Sequence, residues 1–150
     1  MRLTWIGAVL ALGALACGGK KPEQAPAEQA AQPAAAQPAA PVVEVQMTGS
    51  GNVFKYEPAV ISVPAGGTVR FINVSGGPHN VSFYADSIPG GTADRLNAAM
   101  ANRMDNLAGP LLVNPNDHYD VSFAGLPAGT YKGFCTPHVA LGMKITITVQ

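Results

Sequence analysis

The sequence predicts an all-β fold, a Greek-key antiparallel β-sandwich with one short helix in an inter-strand connection. Three observations lead there. From Val42 onward apolar residues recur at every second position, the period of a strand with one face buried. Glycine- and proline-rich clusters separate these runs at short intervals, as in small sandwiches and barrels. Helical spacing occurs in one short stretch only, around residues 92–104.

The chain has 150 residues and no net charge at neutral pH. That length suits one domain with appendages, and the charge balance gives no footprint for nucleic acid. Met1-Arg2 is followed by fourteen uncharged residues, Leu3 to Ala16. This run is too short to span a bilayer, which takes about 20 residues, and fits the apolar region of a secretory signal. It ends Gly13-Ala14-Leu15-Ala16-Cys17-Gly18-Gly19. Small residues before a cysteine resemble the cleavage box of bacterial lipoproteins, although Ala14 stands where a leucine is usual. The resemblance implies lipidation at Cys17 and tethering to a membrane surface, on the periplasmic side of a bacterial membrane. If Cys17 is not lipidated, an ordinary signal peptide implies a soluble exported protein.

Residues 18–41 contain no aromatic or β-branched residue and five prolines. They cannot build a core and are expected to be a disordered spacer, reaching at most roughly 70 Å if extended at about 3.1 Å per residue. Domain boundaries are therefore read as a leader at 1–17, a linker at 18–41 and a folded domain at 42–150.

Within that domain, Val43, Val45 and Met47 share one face. Val69 and Phe71 alternate with Arg70 and Ile72, and Val81 and Phe83 with Asn80 and Ser82. Tyr119, Val121 and Phe123 alternate with His118, Asp120 and Ser122. Met143, Ile145, Ile147 and Val149 alternate with Lys144, Thr146 and Thr148. Turns are expected at Pro64–Gly67, Ser75–Pro78 and Leu126–Gly129. Tyr131 reads equally as a tyrosine corner or as a plain core aromatic. In the helical stretch Thr92 is a candidate N-cap, and Leu96, Met100 and Met104 form a stripe expected to pack on a sheet.

The chemistry-bearing residues cluster near the C-terminus, in Cys135-Thr136-Pro137-His138-Val139-Ala140-Leu141-Gly142-Met143. The spacings are C-x2-H and H-x4-M, and His79 lies far upstream in Pro78-His79-Asn80. One thiolate, two imidazoles and a weak axial thioether suit a trigonal copper site. By parity, His79 and Met143 both point into one end of the sandwich. The remaining histidine, His118, falls in a polar set beside Asp117 and Asp120 and reads as a surface residue.

These motifs resemble the blue copper proteins (cupredoxins), and within them the plastocyanin-like branch. The likeness covers residues 53 to 150 and includes Pro58–Val63, Ala65–Val69 and Phe71–Asn73. It implies a one-electron carrier rather than an enzyme. A single mononuclear type 1 copper would be held by His79, Cys135, His138 and Met143. The resemblance further implies that Asn80 ties its loop to Thr136, with Pro78 and Pro137 stiffening the two ligand loops. His138 would show its ring edge within an apolar docking patch of Gly76, Pro78, Ala140, Leu141 and Phe54. Partners would be other redox proteins, a cytochrome, oxidase or reductase, met transiently. Phe134 stands beside Cys135 where plant-type members carry tyrosine, and residues 86–105 lack their acidic clusters, so a photosynthetic partner is not implied.

Competing functions differ in what they require. Copper delivery or storage needs the same ligands but neither colour nor reversible cycling. A multicopper enzyme needs further histidines, and only His118 is left over. A binuclear oxidase-type centre needs two cysteines in the loop, and Cys135 is alone there.

Overall fold

The structure is a computed structural model that describes residues 40–150. The expected leader, Cys17 and almost all of the spacer lie outside the described residues. Among those described, no helix is long and apolar enough to cross a membrane.

Eight strands form two four-stranded sheets facing each other. The strands are β1 Val42–Ser50, β2 Val53–Glu57, β3 Val60–Val63, β4 Thr68–Asn73, β5 Ser82–Phe83, β6 His118–Ser122, β7 Gly129–Phe134 and β8 Lys144–Val149. The first sheet has the order β2-β1-β4-β6 and the second β3-β8-β7-β5. The sandwich follows the sequence pattern, but pairing is mixed rather than wholly antiparallel. β1 runs parallel to β4, with Val45 opposite Phe71, and β3 runs parallel to β8, with Ile61 opposite Ile147. Alternation specifies which face of a strand is buried and is silent on the direction of its neighbour.

The inward rows meet in one core. Val45, Met47, Val63, Val69, Phe71, Val121, Phe123, Tyr131, Met143 and Ile147 are fully enclosed. Each large apolar side chain buried in this way contributes on the order of 1.5–3 kcal/mol. Tyr131 resolves as a tyrosine corner, its hydroxyl donating to the Pro127 carbonyl at 2.8 Å. Its ring meets Phe123 edge-on at 5.2 Å.

Three expectations need correction. Asn80 and Ser82, read as the solvent side of a strand, are buried at 1% and 3% exposure. The segment 107–112 lies along residues 79–83, with hydrogen bonds Phe83 N to Leu107 O, Gly109 N to Val81 O and Leu112 N to His79 O. It pairs along their edge, and the Asn80 and Ser82 side chains turn to Met104, the Gly109 carbonyl and Thr136 rather than to water.

Helix α1 spans Ala93–Ala99 and buries Leu96, but Thr92 makes no side-chain cap to it. Thr92 already sits in helical φ/ψ, and its hydroxyl turns back to donate to the Pro89 carbonyl. Finally, the Leu96–Met100–Met104 stripe breaks. Met100 is extended at the helix end, Asn102 has φ 51°, and Met104 is 52% exposed. His118, as expected, is an exposed residue of β6.

Candidate metal centre

Two loops at one pole of the sandwich carry the candidate ligands. His79 sits just before β5 and is fully buried. Its backbone is locked on both sides by Leu112, His79 N donating to Leu112 O at 3.1 Å and Leu112 N to His79 O at 2.7 Å. The Asn73 side chain holds the same segment, donating to the carbonyls of Leu112 and Asn114.

The second loop runs from Cys135, at the end of β7, through a 3₁₀ segment at Thr136–Leu141, to Met143 at the head of β8. Pro137 occupies the first turn of that segment, and Gly142 closes it in the left-handed region at φ 84°, which glycine enters without steric cost. Cys135 N donates to Met143 O at 3.1 Å, and Met143 N to His138 O at 3.2 Å. The two ends of the loop are thus clasped together. Met143 is fully buried beneath the loop.

This geometry brings together residues 56 positions apart in sequence. Cys135 Sγ lies 3.6 Å from His79 Nδ1 and 3.4 Å from His138 Nδ1. One ligand atom from each of the three residues falls within 4.8 Å of the others. His79 Nε2 is 2.9 Å from the Ser75 carbonyl. A proton on Nε2 satisfies that carbonyl and leaves the Nδ1 lone pair for a metal, the usual way a ligating imidazole is oriented.

Electrostatics suit a cation. Burial, with His79 as a second imidazole nearby, lowers the His138 pKa and favours the neutral, ligating ring. Burial pushes the Cys135 thiol up, partly offset by backbone N–H groups of Asn80 and His138 directed at the sulfur. A metal therefore has to displace the thiol proton.

The expected Asn80–Thr136 tie is present in both directions. Thr136 N donates to Asn80 Oδ1 at 2.8 Å, and Asn80 Nδ2 donates to Thr136 Oγ1 at 3.2 Å. Sequence reasoning missed several supports. Ser82 Oγ is 2.9 Å from Thr136 Oγ1, and the Tyr56 hydroxyl donates to the Asn80 carbonyl at 2.6 Å. Phe54 stacks on the His138 ring. Phe54 and Tyr56 share the inward parity of β2, which was the available signal, but β2 is too short for alternation alone to mark it as a strand.

Among the expected patch residues, Gly76, Pro78, Ala140 and Leu141 are exposed and Phe54 is half-buried. Val53, Val74 and Val113 are also exposed, at 64%, 40% and 65%. Each adjoins a segment that supports the ligand loops, in β2, before Ser75 and after Leu112 respectively.

A sandwich that gathers one thiol and two imidazoles at its pole, with a buried thioether at the loop's end, is built around a single soft-metal centre. The donor set fits copper: thiolate and imidazole favour it, and there are too few hard oxygen donors for calcium or magnesium. Comparison with known proteins gives the family. Residues 43–150 match the model for copper binding proteins of the plastocyanin/azurin family, and the chain belongs to that family.

It is 38% identical to a plastocyanin of Prochlorothrix hollandica over 142 residues, covering 95% of this chain and 90% of that protein. It is 37% identical to a plastocyanin of Scenedesmus fuscus over 108 residues, 72% of this chain and 99% of the relative. The oxidised plastocyanin of Dryopteris crassirhizoma superposes with a TM-score of 0.58 at 33% identity, covering 72% of this chain and all of that one. The protein is accordingly a copper-binding electron carrier of the cupredoxin class, not an enzyme.

Proposed function

We propose that this chain carries single electrons between membrane-associated redox proteins through one type 1 copper held by His79, Cys135 and His138, with Met143 as the weak axial ligand. The observation that carries the reading is the convergence of Cys135 Sγ with the Nδ1 atoms of His79 and His138, at 3.6 and 3.4 Å. When bound, copper supplies the one-electron couple and a covalent thiolate bond that gives strong visible absorption.

The protein's own residues keep the pocket nearly unchanged between oxidation states. The Cys135–Met143 clasp, the Leu112 lock on His79 and the Asn80–Thr136 tie all limit how far ligands move when the charge changes. Cys135 is enclosed, whereas His138 is only half-buried, so the His138 edge is the exit for an electron. The apolar surface of Gly76, Pro78, Ala140, Leu141 and Phe54 around it suits brief, weakly held encounters. A cytochrome, an oxidase or a reductase fits such a surface.

The leader supports export, and lipidation at Cys17 would leave the domain on a leash of about 24 residues reaching roughly 70 Å. Full enclosure of Cys135 disfavours delivery or storage, in which a donor or acceptor protein must reach the sulfur.

The test is Cu(II) titration of the full chain, wild type and Cys135→Ser, followed by visible spectroscopy and voltammetry. An intense thiolate-to-copper band and a reversible one-electron wave in wild type, both lost in the variant, are expected. Copper binding without the band would overturn the carrier reading in favour of storage. Fractionation and mass analysis of the exported protein, with Cys17→Ala as control, test the anchor: release of wild type into the soluble fraction would refute it.

A further inference from the structure

Strand β2 lies at the edge of the first sheet, yet it reaches both ligand loops. Phe54 stacks on His138, and two residues on, on the same face, Tyr56 donates its hydroxyl to the Asn80 carbonyl at 2.6 Å. Tyr56 is 1% exposed, with its ring edge-on to Phe71 at 5.9 Å. A phenylalanine would fill the same space without the cost of burying a hydroxyl, so the oxygen needs a reason beyond packing.

Asn80 supplies one. It directly follows His79, and its side chain accepts from Thr136 N and donates to Thr136 Oγ1, one residue beyond Cys135. Its other side-chain partners, Ser82, Met104 and Gly109, all lie in β5 or the long connection after it. Tyr56 is the one hydrogen-bond partner of Asn80 on the opposite sheet among the described residues. Burial, with Cys135 and then Tyr84 nearby, raises the Tyr56 pKa well above its ordinary value. The phenol stays protonated and remains a donor.

We propose that Tyr56 is a positioning residue for the metal pocket: its hydroxyl pins the Asn80 carbonyl to the opposite sheet and thereby holds the Asn80–Thr136 tie that seats Cys135 against His79. The proposal rests on Cys135 being the thiolate ligand. Loss of the Tyr56 hydroxyl loosens the seat of Cys135 and shifts both the reduction potential and the thiolate-to-copper band.

Three variants of the full chain test this. Tyr56→Phe should bind copper at wild-type stoichiometry, with the potential and the band both displaced. In the copper-free protein its Thr136 amide, which donates to Asn80 Oδ1, should exchange hydrogen faster. Site-specific 3-fluorotyrosine at position 56, a stronger donor of nearly the same shape, should move the potential the opposite way, and it keeps the question open to test if Tyr56→Phe folds poorly. Phe71→Leu disturbs the Tyr56 ring packing without removing the hydroxyl. It should lower Tm and leave potential and band in place.

Potential and band unchanged in both position-56 variants, with only Tm altered, would overturn the proposal and make Tyr56 a packing residue. Absence of the band in wild type would instead refute the reading of Cys135, so the two failures are distinguishable.

Discussion

The ring of Phe54 lies flat on the imidazole of His138, with centroids 3.8 Å apart and planes 7° from parallel. The His79 ring meets His138 at a steep angle, 61°, with centroids 4.8 Å apart. His138 is thus held by an aromatic face on one side while its edge is left to solvent. A side chain from the edge strand of one sheet fixes the orientation of a ligand carried between two strands of the other.

Replacing Phe54 with leucine keeps an apolar contact but removes the stack. Aromatic pairs of this kind contribute about 0.5–1.5 kcal/mol beyond area burial, so apoprotein stability should fall by about that much. Copper affinity should fall as well, because the His138 ring must then be ordered on binding. Urea denaturation and competitive copper titration measure the two effects, and unchanged copper affinity would show that the stack does not prepare the ligand.

Asn80→Ala removes the side chain that joins the two ligand loops. Thr136 N loses its acceptor at 2.8 Å, and the carbonyl of Gly109 loses a donor at 3.2 Å. Each buried group left unsatisfied costs about 1–3 kcal/mol. A loss of about 2–4 kcal/mol in apoprotein stability is expected by denaturant melts, with increased hydrogen exchange at Thr136.

Copper binds the folded pocket more tightly than the unfolded chain, which offers the Cys135–Met143 loop but cannot hold His79, 56 residues from Cys135, beside it. At metal concentrations 1,000-fold above Kd the folded state gains about 4 kcal/mol. The melting temperature should rise on adding copper, and far less in Cys135→Ser. An equal rise in both, measured by scanning calorimetry, would place the bound metal elsewhere.

The outer face of the first sheet makes a pH-dependent contribution. Arg70 on β4 and Asp120 on β6 are direct register partners and form a two-point ion pair, Nε to Oδ1 at 2.9 Å and Nη2 to Oδ2 at 2.8 Å. Hydrogen bonding to Arg70, foremost, holds the Asp120 pKa below its ordinary value. A carboxylate depressed in the folded state stabilises it above the unfolded pKa, and that contribution disappears as pH falls through the folded value. The stability gap between wild type and Asp120→Asn should therefore close between about pH 5 and pH 2. Its size is small, because the pair is more than a third exposed and solvent screens it. A gap that widens on acidification would contradict the assignment.

The amino-acid sequence alone determined the kinds of ligand and their local spacing, because Cys135, His138 and Met143 share a loop too short to place them far apart. It also determined the inward rows, such as Tyr119-Val121-Phe123 and Ile145-Ile147-Val149, because strand geometry sends alternate side chains to opposite faces. Only the tertiary structure decided the rest. The parallel pairing of β1 with β4, the pairing of 107–112 along residues 79–83, the Leu112 lock on His79 and the reach of Phe54 and Tyr56 across the sandwich all join residues remote in sequence. A period of two records which face a residue occupies; it carries no record of which strand lies alongside or what packs over that face. The copper pocket depends on both kinds of information, local donors prepared by spacing and a distant histidine delivered by packing.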